Sequence, residues 1–414
     1  MKRKELIIFI ITVIVIYFLY KIITVSLLLN PPVIQSKDLI NNKHAAPEEL
    51  YNKSWAAVKR CYIDASYNSQ DWKRWKKHYQ GKIKTDEDAH VAIDSMMASL
   101  NDPYSRFLTQ KEYTEQFNSI DAHITGIGIN IISQGGQTVI FSVIKGTPAE
   151  QAGLAANDII LKVDNKNICG MDLSEAASLV RGAENTPVTL KIKRGSKIFT
   201  TKIIRKKIEI KSVEASVRKN NIGYIKIKSF IGSNTALEFV NALKKLDNTK
   251  GLIIDLRGNT GGLLTNAVIV ANLFINNGTI VSIVSKNGSR HDINAQMNLP
   301  VINKPTVLLV DEASASASEI LSGALKDNKK AVLVGTKTFG KGLVQQIIPL
   351  PNGTGLNITI AKYLTPKGID IDKKGIEPDI KAEYSLPDIK KHNDTQLKKA
   401  ESVINKLCSR HSEY

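Results

Sequence analysis

Two segments of the chain bring together residue types suited to acyl transfer. Residues 305–320, PTVLLVDEASASASEI, read as a buried strand that breaks into a run of small residues and then opens a helix. A nucleophile at such a junction sits on a tight turn beside the free N–H groups of the helix start, which can stabilise an oxyanion. Ser316 is placed for that role. The same four residues, Ser316 to Glu319, also satisfy the capping-box pattern, in which the hydroxyl only caps the helix, and this segment alone leaves both readings open. One strand later, residues 335–345 read GTKTFGKGLVQ. A lysine with a pKa of about 10.4 is neutral in roughly one copy in 2,500 at pH 7. Stabilising the neutral amine fully takes about 4.6 kcal/mol, which burial in an apolar pocket supplies. Glycines on both sides of Lys341 let the chain wrap around such a pocket, and Gln345 is placed to hold the amine by a hydrogen bond; a solvated surface lysine is the plain alternative. Residues 255–262, DLRGNTGG, end another predicted core strand in a glycine-rich turn whose N–H groups suit the other half of an oxyanion hole. A simple strand-to-helix turn, with Arg257 as a buried ion-pair partner, is the competing role.

Other chemistries fit less well. Gly335 to Lys341 matches the spacing of a phosphate loop, but Gly342 replaces the magnesium-binding hydroxyl and a strand-like run follows where a helix is required. No G-x-S-x-G elbow and no H-E-x-x-H occurs, which removes the α/β-hydrolase and that type of zinc protease. None of the seven histidines lies in the two segments, and S-x-x-K at Ser142 and Ser216 falls in strand-like surroundings. Cys61, Cys169 and Cys408 are isolated thiols without metal or redox spacing.

These residues need a scaffold. From Ile222 onward continuous apolar strands alternate with helical stretches, which predicts a largely parallel sheet covered by helices. Residues 121–207 are β-branched runs punctuated by glycine, a small β-rich unit. Residues 48–120 read as short helices: a capping-box-like start at Thr85 precedes an apolar face of Ala89, Ala92, Ile93, Met96, Met97 and Leu100. Trp72, Trp75 and Tyr79, interleaved with basic residues, suggest a nucleic-acid or membrane-surface patch, but their i, i+3, i+7 spacing is that of a buried stripe. The 57 basic and 39 acidic side chains leave +18. The lysines are spread along the whole chain, which speaks for a compositional bias rather than a polyanion site. An apolar run at residues 6–29, broken by Lys21 and preceded by a basic tip, is long enough to span a bilayer and predicts a cytoplasmic N-terminus with an exported body. The expected organisation is thus α+β and multidomain: 1–30 cytoplasmic tip and transmembrane signal-anchor, 31–47 linker, 48–120 helical region, 121–207 β-rich domain, 208–385 α/β core with a largely parallel sheet, and 386–414 C-terminal helix and tail.

Together the segments resemble the carboxy-terminal processing protease family, relatives of the tail-specific proteases. The resemblance runs from about Glu48 to Leu407 through LNDPYSRF at 100–107, a PDZ-like unit at 121–207, DLRGNTGG at 255–262, SASASE at 314–319 and KTFGKG at 337–342. It implies Ser316 as nucleophile, Lys341 as general base and Gln345 as its assistant. The implied oxyanion hole is the N–H of Ala317 with that of Gly261 or Gly262. It further implies a serine endopeptidase that cleaves exported proteins near their C-termini, without metal or organic cofactor. The loop Gly126, Ile127, Gly128, Ile129 is expected to meet the substrate's terminal carboxylate while the peptide adds as a strand. Arg181 is a candidate relay from that loop to the active site. Expected partners are protein C-terminal tails and the membrane, through the N-terminal helix, and no nucleic acid; a homo-oligomer or an adaptor stays open. The expected location is the inner or cytoplasmic membrane, single-pass, with the catalytic body on the periplasmic or extracytoplasmic side. A membrane-tethered PDZ receptor that keeps the protease fold without turnover is the opposing reading, against which the complete Ser316, Lys341 and Gln345 set argues.

Overall fold

Local sequence signals set the first helices. In the computed structural model, which describes residues 45–120, 123–209, 211–296, 302–384, 388 and 393–411, helix α1 (Pro47–Cys61) starts with proline, has Glu48 and Glu49 in its first turn and ends on Lys59 and Arg60. Each charge thus complements the helix dipole. Helices α2 (Trp72–His78) and α3 (Asp86–Ala98) follow, α3 opened by the reciprocal Thr85–Asp88 capping box. Trp72 is buried and Trp75 and Tyr79 pack against the same cluster, so the aromatic-basic stretch lines a core, as its helical spacing predicts. That core is shared with Leu350, Leu356 and Ile358 from far along the chain. Strand β1 (Arg106–Leu108) and helix α4 (Gln110–Ile120) complete the region.

The described chain divides into two compact units, Asn118–Lys211 being one and the residues on either side of it the other. The Asn118–Lys211 unit contains β2 (His123–Gly126), β3 (Ile129–Gln134), β4 (Gln137–Val143), helix α5 (Pro148–Gln151), β5 (Ile159–Val163), β6 (Lys166–Asn167), helix α6 (Leu173–Val180), β7 (Pro187–Arg194), β8 (Lys197–Ile204) and β9 (Lys206–Glu209). Its main sheet has the order β3-β4-β5-β7-β8 with β6 on β5, so β3 is an edge strand; β2 pairs separately with β9.

The larger unit resumes with β10 (Val213–Arg218), β11 (Ile222–Ile227), helix α7 (Thr235–Lys245), β12 (Gly251–Asp255), helix α8 (Leu264–Asn272), β13 (Thr279–Ser285), β14 (Arg290–Asn294), β15 (Thr306–Val310), helix α9 (Ala317–Asp327), β16 (Val332–Gly335), β17 (Leu343–Pro349), β18 (Gly355–Leu364), β19 (Ile380–Lys381) and helix α10 (Thr395–His411). One sheet runs β10-β11-β12-β15-β16-β19, parallel throughout except for the β10–β11 pair. Alternate residues of β15 serve opposite faces: Leu308 and Val310 pack beneath α7, α8 and α9, while Val307 and Leu309 meet Ala400 and Ile404 of α10. Burial on both faces explains why β12 and β15 are continuous apolar runs rather than alternating ones. A second, antiparallel sheet, β1-β18-β13-β14 with β17 on β18, was not anticipated as a sheet; it joins strands hundreds of residues apart in the chain.

The expected single-pass location in the inner or cytoplasmic membrane is corrected here. Among the described residues no helix is long and apolar enough to cross a membrane. The longest, α10, has 17 residues. That is about 26 Å against a hydrocarbon core of about 30 Å, and it carries Lys398, Lys399, Lys406 and Arg410. The run at 6–29 on which the signal-anchor rested lies outside the described residues.

Candidate active site

The junction between β15 and α9 is stitched to the turn after β12. Gly258 N–H donates to Asp311, Ala315 N–H to the Asn259 carbonyl at 3.1 Å, and the Ser314 hydroxyl to the Leu256 carbonyl at 2.9 Å. The Ser318 hydroxyl donates to the Asn259 carbonyl at 2.9 Å. Both serines flanking Ser316 therefore spend their hydroxyls on structure. Ser316 differs: its backbone stands at φ 55°, ψ −114°, a strained region for any residue but glycine. Gly261 makes this turn feasible, since at its φ of 104° an added Cβ would lie 2.8 Å from Ser316 Cβ and 2.7 Å from the Ala315 carbonyl oxygen.

Lys341 follows β16 in a loop pressed against residues 372–375. At Gly340, φ 90°, a Cβ would meet the Gly375 nitrogen at 2.8 Å, so glycine lets this loop lie against the backbone of 373–375. The two segments are joined by Glu319, only 1% exposed. Its Oε2 accepts the N–H groups of Ser316 and Lys341, both at 2.9 Å, and its Oε1 accepts the Thr338 hydroxyl at 2.6 Å and Gly340 N–H at 2.7 Å. Four donors fill the acceptor capacity of the carboxylate. The Tyr363 hydroxyl makes a second bridge, 2.5 Å from the Lys341 carbonyl oxygen and 3.1 Å from that of Ser316, its one proton serving one of the two. Burial pushes that phenol well above its ordinary pKa.

Burial likewise holds the Lys341 amine below the ordinary lysine value, opposed by the negative charges of Asp102 and Glu319. Its Nζ lies 4.4 Å from the centroid of the Tyr104 ring. Among the described hydrogen bonds none joins Lys341 Nζ to Ser316 Oγ or to Gln345. The Gln345 amide instead lies 3.5 Å from Thr359 Oγ1, at the outer limit of a hydrogen bond, next to an irregularity in the β17–β18 pairing. Of the oxyanion candidates, Gly261 N–H is committed to Asn259 Oδ1 at 2.9 Å. Ala317 N–H and Gly262 N–H take no hydrogen bond among the described residues. Arg257 is the ion-pair partner its sequence context suggested: it bridges Asp255, at 2.7 Å, and Asp394, at 2.8 Å, just before α10.

In the Asn118–Lys211 unit, Gly126 to Ile129 form the break between β2 and β3. The carbonyls of Ile127 and Gly128 accept from Ala149 N–H and Ile144 N–H, while the N–H groups of Ile127 and Gly128 themselves take no hydrogen bond among the described residues. Arg181 caps the end of α6 and is exposed. The buried arginine at that end is Arg205, which donates to the carbonyls of Leu179, Val180 and Pro187 and to the Thr186 hydroxyl. Sequence reasoning passed over Arg205, Asn259, Tyr363 and the bridging role of Glu319. Only Glu319 left a signal, its place three residues after Ser316. Tyr104 lay in a segment noted for resemblance and given no task.

A serine at a strained strand-to-helix junction on a parallel α/β core, in a chain that also holds a β-rich unit with an open edge strand, agrees with two family models: Peptidase family S41 over residues 221–382 and PDZ domain over residues 139–194. These define a serine peptidase that carries a PDZ domain. The chain belongs to the carboxyl-terminal processing proteases. It is 37% identical over 354 residues to the carboxyl-terminal-processing protease of Synechocystis, covering 82% of each chain. It is 42% identical over 314 residues to the carboxy-terminal processing protease CtpA of Bacillus subtilis, covering 74% of this chain and 66% of that one. Among solved structures, the photosystem II D1 C-terminal processing protease matches with a TM-score of 0.56 at 32% identity, over 82% of this chain and 94% of that one.

Proposed function

We propose that this chain is an endopeptidase that cleaves proteins near their C-termini through a Ser316–Lys341 dyad, with residues 208–385 as the protease core and residues 121–207 as the domain that reads the substrate tail. The observation that carries the reading is the Glu319 carboxylate, which ties the backbone of the nucleophile to that of the base. In the reaction, neutral Lys341 accepts the Ser316 Oγ proton as Oγ bonds to the peptide carbonyl carbon. The negative oxygen that forms is met by Ala317 N–H and Gly262 N–H, with Gly261 giving the close approach. The C–N bond then breaks, the Lys341 ammonium gives its proton to the leaving amine, and the neutral amine next activates the water that releases the acyl group. Gln345 steadies the amine once Nζ has turned toward Oγ.

Recognition uses the β3 edge. A substrate tail adds there as an antiparallel strand, and its carboxylate meets the N–H groups of Ile127 and Gly128. Arg181 is the exposed cation at the end of α6. The test compares the full chain with Ser316→Ala and Lys341→Ala on an unstructured protein ending in apolar residues. The parent is expected to cleave it, and each folded variant to lose about 10,000-fold in kcat/KM. Cleavage retained by Ser316→Ala, or no cleavage by the parent, overturns the reading.

A further inference from the structure

Residues 101–107, NDPYSRF, have no part in the reaction as written above, yet they deliver an aromatic face to its base. Tyr104 is firmly held. Its N–H donates to Asp102 Oδ1 at 3.0 Å and its carbonyl accepts from Asn357 Nδ2 at 3.3 Å. The next residue, Ser105, donates to Asp102 Oδ2 at 2.6 Å and accepts Thr359 N–H at 2.9 Å. The ring is thus anchored through β18, the strand that also carries Tyr363. Lys341 Nζ rests over that ring, 4.4 Å from its centroid, with no hydrogen bond to Ser316 Oγ among the described residues.

We propose that Tyr104 is a positioning residue that parks the Lys341 amine as an ammonium away from Ser316, so that the base must leave the ring before it can serve the nucleophile. The inference rests on the Ser316–Lys341 reading. Its physical basis is that an aromatic face attracts a cation through the ring quadrupole, and a neutral amine gains no comparable attraction. The other groups that act on the amine are Asp102 and Glu319, which also favour the ammonium, and the surrounding burial, which disfavours it. Burial, together with the negative charges of Asp372, Asp102 and Glu319, holds the Tyr104 phenol above its ordinary value, so the ring stays neutral. Tyr363 meets the lysine only at its backbone carbonyl. To act, Lys341 swings off the ring, gives its proton to solvent water and accepts the Ser316 proton.

Activity requires the neutral amine, so kcat/KM rises with pH through the pKa of Lys341 in the free enzyme. Removing a contact that favours the ammonium moves this acid limb to lower pH. The full 414-residue chain is assayed as parent, Tyr104→Leu, which keeps apolar bulk without the quadrupole, and Tyr104→Phe, which keeps the ring. A fourth version carries a trifluorinated phenylalanine at position 104, nearly the same shape with a weakened quadrupole, and serves where the leucine variant does not fold. The acid limb is expected to move down by about half to one pH unit with leucine and with the fluorinated ring, and to stay at the parent's position with phenylalanine. An acid limb unmoved by the fluorinated ring overturns the inference. Lys341→Ala is run alongside: cleavage retained there would overturn the dyad itself, a result separate from any outcome at position 104.

Discussion

Three serines stand at alternate positions 314, 316 and 318, and their surroundings separate them. Ser314 and Ser318 give their hydroxyls to the carbonyls of Leu256 and Asn259, whereas Ser316 holds a backbone conformation that only glycine adopts without strain. Such strain costs on the order of 1–3 kcal/mol and persists where the surroundings enforce it, here the Glu319 bridge and the close packing of Gly261. Ser316→Gly is therefore expected to be inactive and yet more stable than the parent by about 1 kcal/mol, because glycine relaxes the strain and costs only a few tenths as an N-cap. Denaturant unfolding checks this, and a less stable glycine variant would contradict the strain. Glu319 itself shows how one residue serves two levels: the capping-box glutamate of α9 is also the link to Lys341.

Among the elements of the Asn118–Lys211 unit, α6 has its last turn held by Arg205. Arg205 is 8% exposed, and its guanidinium gives four hydrogen bonds, three of them to carbonyls, two of those in the last turn of the helix. A cation there also complements the negative end of the helix dipole. Arg205→Met leaves these acceptors unpaired and is expected to destabilise the Asn118–Lys211 unit by roughly 2–3 kcal/mol and to weaken binding of a C-terminal peptide about tenfold. Titration with a fluorescent tail peptide reads the second effect; unchanged affinity would mean that the end of α6 does not support tail binding. In the larger unit, Arg257 plays the comparable part, clamping the end of β12 to the start of α10 through Asp255 and Asp394.

At the scale of the molecule, the chain leaves one compact unit near Phe117 and re-enters it at Ser212, so that the PDZ domain is an insertion into the protease unit. All of Ser316, Lys341, Gln345, Glu319, Tyr104 and Tyr363 belong to that larger unit, and the loop Gly126 to Ile129 belongs to the other. Deleting residues 121–207 is expected to abolish processing of a folded protein with an accessible tail. Full processing by the deleted chain would show that the domain neither selects nor gates.

The sequence by itself determined the parallel core, the capping box of α3, the buried stripe of Trp72, Trp75 and Tyr79, and the two segments with Ser316 and Lys341. Each of these is encoded in hydrophobic periodicity or in the spacing of neighbouring residues, which act locally. Family resemblance, not periodicity, chose Ser316 from its neighbours. Only the tertiary structure decided that Ser314 and Ser318 are spent on backbone carbonyls, that Glu319 and Tyr363 join the backbone of Ser316 to that of Lys341, and that Tyr104 lies against Lys341. The same holds for the second sheet, where β1 pairs with β18. These contacts join residues far apart in the chain, through hydrogen bonds and ring faces whose partners leave no periodic trace in the sequence around them.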